Sequence, residues 1–236
     1  MPTVLITGSS QGIGATAARQ FAIAGWDLLL VARNDQTLNE RAIQLKKLGR
    51  RVETASIDLA SPYDIAPSLI ELLDRGLIPQ VIINNAGAAY TGSISEMALD
   101  QWQWLLQLNL TSIFQVSKTL IPILRKNGGG LIINVSSHAA RKAFPNWGAY
   151  CTTKSALETF TRCVAEEERH YGIRACTLTL GAVDSPLWGT NTVYSNFDRR
   201  AMLPLEQAAA ALVYLAQQPP TQVVEDLTLM PATGAL

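Results

Sequence analysis

Thr7-Gly8-Ser9-Ser10-Gln11-Gly12-Ile13-Gly14 decides how this chain folds. The stretch follows a short β-rich run, Val4–Thr7, and opens a helical pattern, Gly12–Ala24. In that pattern Ile13, Ala17, Phe21 and Ala24 share one stripe, and Gly25 ends it. Glycines in a strand-to-helix turn let the backbone approach a pyrophosphate, which then sits at the positive end of the helix. The spacing, G-x-x-x-G-x-G, is one residue longer than the commonest dinucleotide fingerprint. Its place after the first strand predicts a dinucleotide site that uses Gly8, Ser10, Gln11, Gly12, Ile13 and Gly14.

Outward from this turn, strand-like and helix-like segments alternate. Asp27–Ala32 is continuously apolar after its first residue, as expected of a strand covered on both faces. Asn34 or Asp35 caps the next helix, whose inner face is Leu38, Ala42, Leu45 and Leu48 and which ends at Gly49. Further strands are predicted at Val52–Ile57, Val81–Asn84, Leu131–Val135, Arg174–Thr179 and Leu227–Met230. Helices are predicted around Ile65–Leu73, over Ser95–Lys126 with a kink at Pro122, from Tyr150 to about His170, and over Leu205–Gln217. The Tyr150 helix would bury Ala156, Leu157, Phe160, Cys163 and Val164. The expected fold class is α/β: one domain over residues 1–236, a doubly wound parallel sheet of about seven strands with helices on both faces.

Composition narrows the function classes. Of 236 residues, 48% are hydrophobic and 16% charged, and 19 basic residues balance 19 acidic ones. Such a chain has no global field for nucleic acid or an anionic membrane, so neither is an expected partner. No apolar stretch reaches the roughly 18 residues of a membrane span, and no basic leader precedes the first strand, so a soluble cytoplasmic protein is expected. Cys151, Cys163 and Cys176 lack C-x-x-C spacing and read as small buried hydrophobes in a reducing compartment. His138 and His170 have no ligand spacing, so no metal is expected.

The second strand ends Val31-Ala32-Arg33-Asn34. An acid here would serve the ribose hydroxyls of NAD, whereas an arginine clamps a 2′-phosphate. Arg33 therefore predicts NADP(H), with Ser10 as a further donor and the neutral Gln11 where a second basic residue would have reinforced the choice. Tyr150 and Lys154 stand four apart and so share one helical face. A positive charge within about 4–6 Å favours a phenolate and pulls tyrosine below its usual pKa of about 10. That pairing suits a residue trading a proton in each turnover.

These motifs together resemble the short-chain dehydrogenase/reductase family: Thr7–Gly14, Asp58-Leu59 after the third strand, Asn84-Asn85-Ala86-Gly87 after the fourth, Asn109, Ser137 and Tyr150-x-x-x-Lys154. The resemblance covers essentially the whole chain and implies a Rossmann-type fold. It implies that Asp58 and Leu59 contact the adenine, and that Asn85, Ala86 and Gly87 border the adenosine ribose. Ser137 would hydrogen-bond the substrate oxygen, the thirteen-residue offset to Tyr150 selecting it over Ser136. Asn109 would bend the long helix and hold a water linking Lys154 to solvent, and Lys154 would grip the nicotinamide ribose. Gly181, Val183 and Ser185 match the nicotinamide-side loop, although Leu180-Gly181 stands where the family shows Pro-Gly, leaving only the glycine's access to positive φ.

The segment from about 185 to 203, with Trp188, Tyr194 and Phe197 and the polar Asn191 and Arg199, is expected to cover the substrate. Ala88, Ala89, His138, Trp147 and Trp188 would line an apolar pocket, and the small residues after Gly87 leave room for a bulky or chain-like ketone. The expected activity is NADPH-dependent reduction of a ketone or aldehyde, with Asn109, Ser137, Tyr150 and Lys154 as the catalytic group. Two alternatives stand beside it: a 3-oxoacyl-[acyl-carrier-protein] reductase, which would use Arg141-Lys142 as a basic surface, and a catalytically silent NADP-binding sensor or scaffold. Apolar residues on more than one face of the 95–126 helix, Trp102, Leu105, Leu106, Leu108, Ile113, Phe114, Val116 and Leu120, predict a homodimer or homotetramer.

Overall fold

The computed structural model describes residues 1–234. Seven strands form one sheet: β1 (Thr3–Thr7), β2 (Asp27–Ala32), β3 (Val52–Ser56), β4 (Val81–Asn84), β5 (Gly130–Ser137), β6 (Ile173–Leu180) and β7 (Asp226–Leu229). Their order is β3-β2-β1-β4-β5-β6-β7, and every pairing is parallel. Parallel neighbours need crossovers, which the helices α1 (Gly12–Ile23), α2 (Asp35–Lys46), α3 (Ile65–Leu73), α4 (Leu99–Leu106), α5 (Ser112–Lys126), α6 (Gly148–Glu168) and α7 (Leu205–Ala216) supply. The strand order reverses between β1 and β4, and in such sheets the crevice beyond the strands' carboxyl ends is where ligands bind.

Alternation along the strands builds two cores. Val4, Ile6, Leu28 and Leu30 face α1, α2 and α7, meeting Ala17, Phe21, Leu38, Ala208 and Leu212. Leu5, Leu29 and Ile82 face the other way, against Leu69 and Leu72 of α3 and Val116 and Leu120 of α5. Successive side chains of a strand point to opposite faces, so a strand apolar throughout is covered on both. Asp27 opens β2 buried, its carboxylate accepting from the Arg51 amide at 2.9 Å. Asn34 caps α2, its Oδ1 accepting from the Thr37 amide, while Gly25 and Gly49 turn the chain with φ of +90° and +76°.

Four expectations need correction. Leu48, expected on the inner face of α2, lies beyond its end at Lys46 and is exposed. The long helix starts at Leu99 rather than Ser95, because Ser93 and Ser95 bond each other and Glu96 closes a turn onto Ser93. It runs without interruption through Pro122, and its irregularity is a π-helical turn at Gln107–Thr111. Cys163 is exposed, since the inner face of α6 carries Thr153, Lys154, Glu158 and Thr161 alongside Leu157 and Val164. Cys151 and Cys176 are buried as expected.

Candidate active site

A cleft of about 930 Å³ lies where the strand order reverses, lined by the ends of β2, β5 and β6 and by the loops after these strands and after β1, β3 and β4. Gly8 and Gly12 take φ of +67° and +56° to shape its phosphate end. Gly14 serves space instead: a Cβ there would meet the Gly8 carbonyl and stand 2.6 Å from Asn85 Nδ2. Asn85 Nδ2 donates to the Thr7 and Gly8 carbonyls, binding the β4 end to the turn. The Gln11 side chain does not cap α1, so the first-turn amides keep their pull on an anion.

Of the residues read from the sequence, Gly8, Ser10, Gln11, Gly12, Ile13, Arg33, Leu59, Asn85, Ala86, Gly87, Gly181, Val183 and Ser185 line this cleft, as do Ser137, Tyr150 and Lys154. Asp58 does not: its carboxylate accepts from the Ala60 amide at 3.0 Å while Ile57 and Leu59, its neighbours in sequence, face inward. Gly14 and Asn109 lie behind the lining. Gly181 has no positive φ; a Cβ there would lie 2.6 Å from Pro231 Cδ, so the position needs the space beside β7 rather than an unusual backbone.

Ser137 ends β5, and its Oγ accepts from the Ala139 amide at 3.2 Å. Tyr150 and Lys154 project from the first turns of α6, with the Lys154 Nζ 5.8 Å from the Tyr150 ring centroid. Nζ donates to the Val135 carbonyl at 2.9 Å, and Lys154 is almost wholly buried. Burial pushes the phenol up to about 12, with Ser137 acting against that shift as a hydrogen-bonding neighbour. Burial also brings the ammonium down to about 8. The phenol's direction is opposite to the depression expected from Lys154: loss of solvent is the largest influence on it, and Ser137 offsets that only in part. Asn109, at the π-turn, clamps Ala88 through its amide (2.9 Å) and carbonyl (2.8 Å) and donates to Thr153 Oγ1 at 3.1 Å. Its Oδ1 and the Lys154 Nζ flank Gly87, where a Cβ would lie 3.1 and 3.7 Å from them.

Ala88, Ala89, His138, Trp147 and Trp188 all line the cleft, joined by Phe197 and by Trp104, Phe144, Thr190 and Thr192, which the sequence reading missed. Tyr194 is instead 75% exposed, and Asn191 and Arg199 lie outside the lining. Arg199 pairs with Asp184 and donates to the Ser185 carbonyl. With the Val183–Leu203 bridge it clasps the two ends of the 185–203 segment together. The middle of that segment is pinned to the loop after β4: Thr91 N donates to the Thr192 carbonyl and Thr192 Oγ1 to that of Ala89, both at 2.8 Å. A further missed residue is Arg41, one helical turn beyond the cleft-lining Thr37. Its Nε donates at 3.5 Å to the Ser10 carbonyl, and the i, i+4 spacing to Thr37 on α2 is the signal that would have found it.

Residues 2–193 match the family model described as short chain dehydrogenase. An uncharacterized oxidoreductase of Staphylococcus epidermidis is 29% identical over 227 residues, 96% of each chain. Among solved structures, an alcohol dehydrogenase from Thermococcus sibiricus complexed with 5-hydroxy-NADP superposes with a TM-score of 0.91 at 26% identity, over 100% of this chain and 99% of that one. An L-sorbose reductase from Gluconobacter frateurii, complexed with NADPH and L-sorbose, gives 0.88 at 27% identity, over 98% and 95%. A parallel sheet with a glycine turn at its switch point is the arrangement of a dinucleotide-binding fold. The chain belongs to the short-chain dehydrogenase/reductase family. Among the described residues, no helix is long and apolar enough to cross a membrane, and no group of three or more His, Cys, Asp or Glu is placed to hold a metal.

Proposed function

We propose that the protein reduces a ketone or aldehyde to an alcohol with NADPH, Tyr150 giving the proton. The observation that carries this reading is the meeting of Tyr150, Ser137 and Lys154 on the floor of a cleft whose far end holds the glycine turn and Arg33. The cradle fits a dinucleotide: its glycines leave the close approach that a Cβ would fill, and α1 presents its amino end. Gly8, Ser10, Gln11, Gly12 and Ile13 would hold the pyrophosphate, Arg33 the 2′-phosphate, Leu59 and Asn85–Gly87 the adenosine. Tyr150, Lys154, Gly181, Val183 and Ser185 would hold the nicotinamide half. Bound there, the cofactor supplies a hydride to the carbonyl carbon.

The protein's part is the proton and the field. With its pKa raised to about 12, Tyr150 is a neutral phenol at pH 7, the state a proton donor needs. As negative charge grows on the carbonyl oxygen, the phenol O–H and the Ser137 hydroxyl stabilise it, and the proton passes to give the alcohol. The phenolate left behind is stabilised by the Lys154 ammonium until it is reprotonated. Asn109 holds α6 and the Ala88 loop in register for this, a positioning role. The 185–203 segment excludes water from the reacting carbonyl. The basic pair proposed for an acyl carrier is otherwise engaged: Arg141 is tied to Glu158 and Asp226, and Lys142 lies over the Phe144 ring. The assembled catalytic group also argues against a silent sensor.

Purified protein with NADPH and a panel of small ketones, followed by reduced-cofactor absorbance, tests the reading. Tyr150→Phe should lower turnover by at least ~100-fold while NADPH still binds. Near-normal reduction by that variant would refute the assignment.

A further inference from the structure

Seven rings line the cleft: Trp104 from α4, and six, His138, Phe144, Trp147, Tyr150, Trp188 and Phe197, from the turn after β5, the start of α6 and the 185–203 segment. Tyr150 and Trp147 stand 5.6 Å apart at 68°, Trp147 and Trp188 5.9 Å at 60°, and Trp188 and Phe197 5.5 Å at 74°. These rings form one chain from the phenol to the covering segment, and the turn after β5 adds the His138–Phe144 pair at 6.2 Å. Trp188 Nε1 donates to the Val183 carbonyl at 2.7 Å, which fixes the indole and uses its one polar atom. Thr190 and Thr192 commit their protons to the Leu187 and Ala89 carbonyls.

Charge is equally telling. Among the described residues, Arg33 and Lys154 are the only Lys, Arg, Asp or Glu side chains in the lining. Arg33 follows β2, three strand spacings (roughly 14 Å) from β5. Lys154 lies beside Tyr150, bonded to the Val135 carbonyl. Lys142 sits over Phe144 but outside the lining. On the carbonyl-reductase reading above, we infer that the substrate is an uncharged ketone or aldehyde carrying an aromatic ring beside its carbonyl. The wall receives such a ring in edge or offset contact. Apart from Lys154, which is engaged at the Val135 carbonyl beside the phenol, no Lys or Arg among the described lining residues stands at this end to meet a carboxylate, sulfonate or phosphate on the substrate.

The test compares acetophenone with its para-carboxylate 4-acetylbenzoate and with the ring-saturated cyclohexyl methyl ketone. Reduction is followed with NADPH, and binding by calorimetric titration into protein loaded with NADP⁺. Acetophenone is expected to exceed 4-acetylbenzoate by at least about tenfold and the cyclohexyl ketone by at least about threefold, in kcat/KM and in affinity. Trp188→Leu and Phe197→Leu should each erase most of the preference over the cyclohexyl ketone. Equal or better handling of 4-acetylbenzoate, no binding of acetophenone, or an unchanged preference in both variants overturns the inference. Binding in the stated order without reduction would sustain the ring wall and sink the reductase reading. Reduction without that order sinks the ring wall alone.

Discussion

On the reading proposed above, the protonation state of Lys154 is expected to set the working pH. Its ammonium is lowered to about 8 by burial, so it is charged below that pH and neutral above it. The neutral amine cannot stabilise a phenolate or attract a phosphate-bearing ligand. kcat/KM for NADPH, which reports the free protein, should therefore fall as pH rises through about 8. Once the anionic cofactor is bound the ammonium is favoured, so the same limb in kcat should lie higher. Coincident limbs, or a flat profile to pH 10, would show that another group governs binding. At the opposite end, Arg33→Ala should lower the NADPH over NADH preference by at least about tenfold, the worth of a charge-assisted hydrogen bond. Arg41→Ala should lower it by a smaller factor, because its guanidinium already spends one donor on Ser10 and another on Gln44. KM ratios for the two cofactors decide this, and a wild-type preference for NADH would remove the NADP reading altogether.

Between residues and fold stand the elements that hold the site rigid. Asn84 Nδ2 donates to Asn134 Oδ1 and Asn134 Nδ2 to Thr161 Oγ1, each at 2.8 Å, so β4, β5 and α6 are stitched below the catalytic group. Ser136 and Thr179 donate to Glu158, which pairs with Arg141 and so fixes the turn after β5 to α6. At the glycine turn the tolerance is smallest. Gly14→Ala would force a methyl against the Gly8 carbonyl and within 2.6 Å of Asn85 Nδ2. A cost of about 1–3 kcal/mol is expected, with a melting temperature lower by several degrees and weaker NADPH binding. Thermal denaturation with and without NADPH would show both effects, and an unchanged Tm would contradict the packing. These elements also mark where sequence reading stopped. Period-three-and-four and alternating patterns located the strands and helices within a few residues. The π-turn left no such trace, because its extra residue is accommodated by a clamp from Asn109 to the distant Ala88.

At the scale of the whole molecule, large apolar side chains stand uncovered on α4 and α5. Leu99 and Phe114 are 69% and 47% exposed on α4 and α5, and Phe114 meets Phe160 of the neighbouring α6 edge-on at 6.4 Å. Two long helices side by side with apolar residues outward are expected to pair with a second copy. Light scattering at micromolar concentration should give at least twice the chain mass, and a monomer would discard this reading. The sequence by itself determined the parallel doubly wound sheet, the glycine turn, Arg33 and the Ser137–Tyr150–Lys154 set, because periodicity and fixed local spacings carry that information. Folding alone dictates that burial opposes ionisation of Tyr150, that Gly181 is kept for space, that Arg41 reaches the Ser10 loop, and that rings from three separate segments close one wall. Each of these depends on solvent access or on distances between elements far apart in the chain, and spacing along the sequence encodes neither.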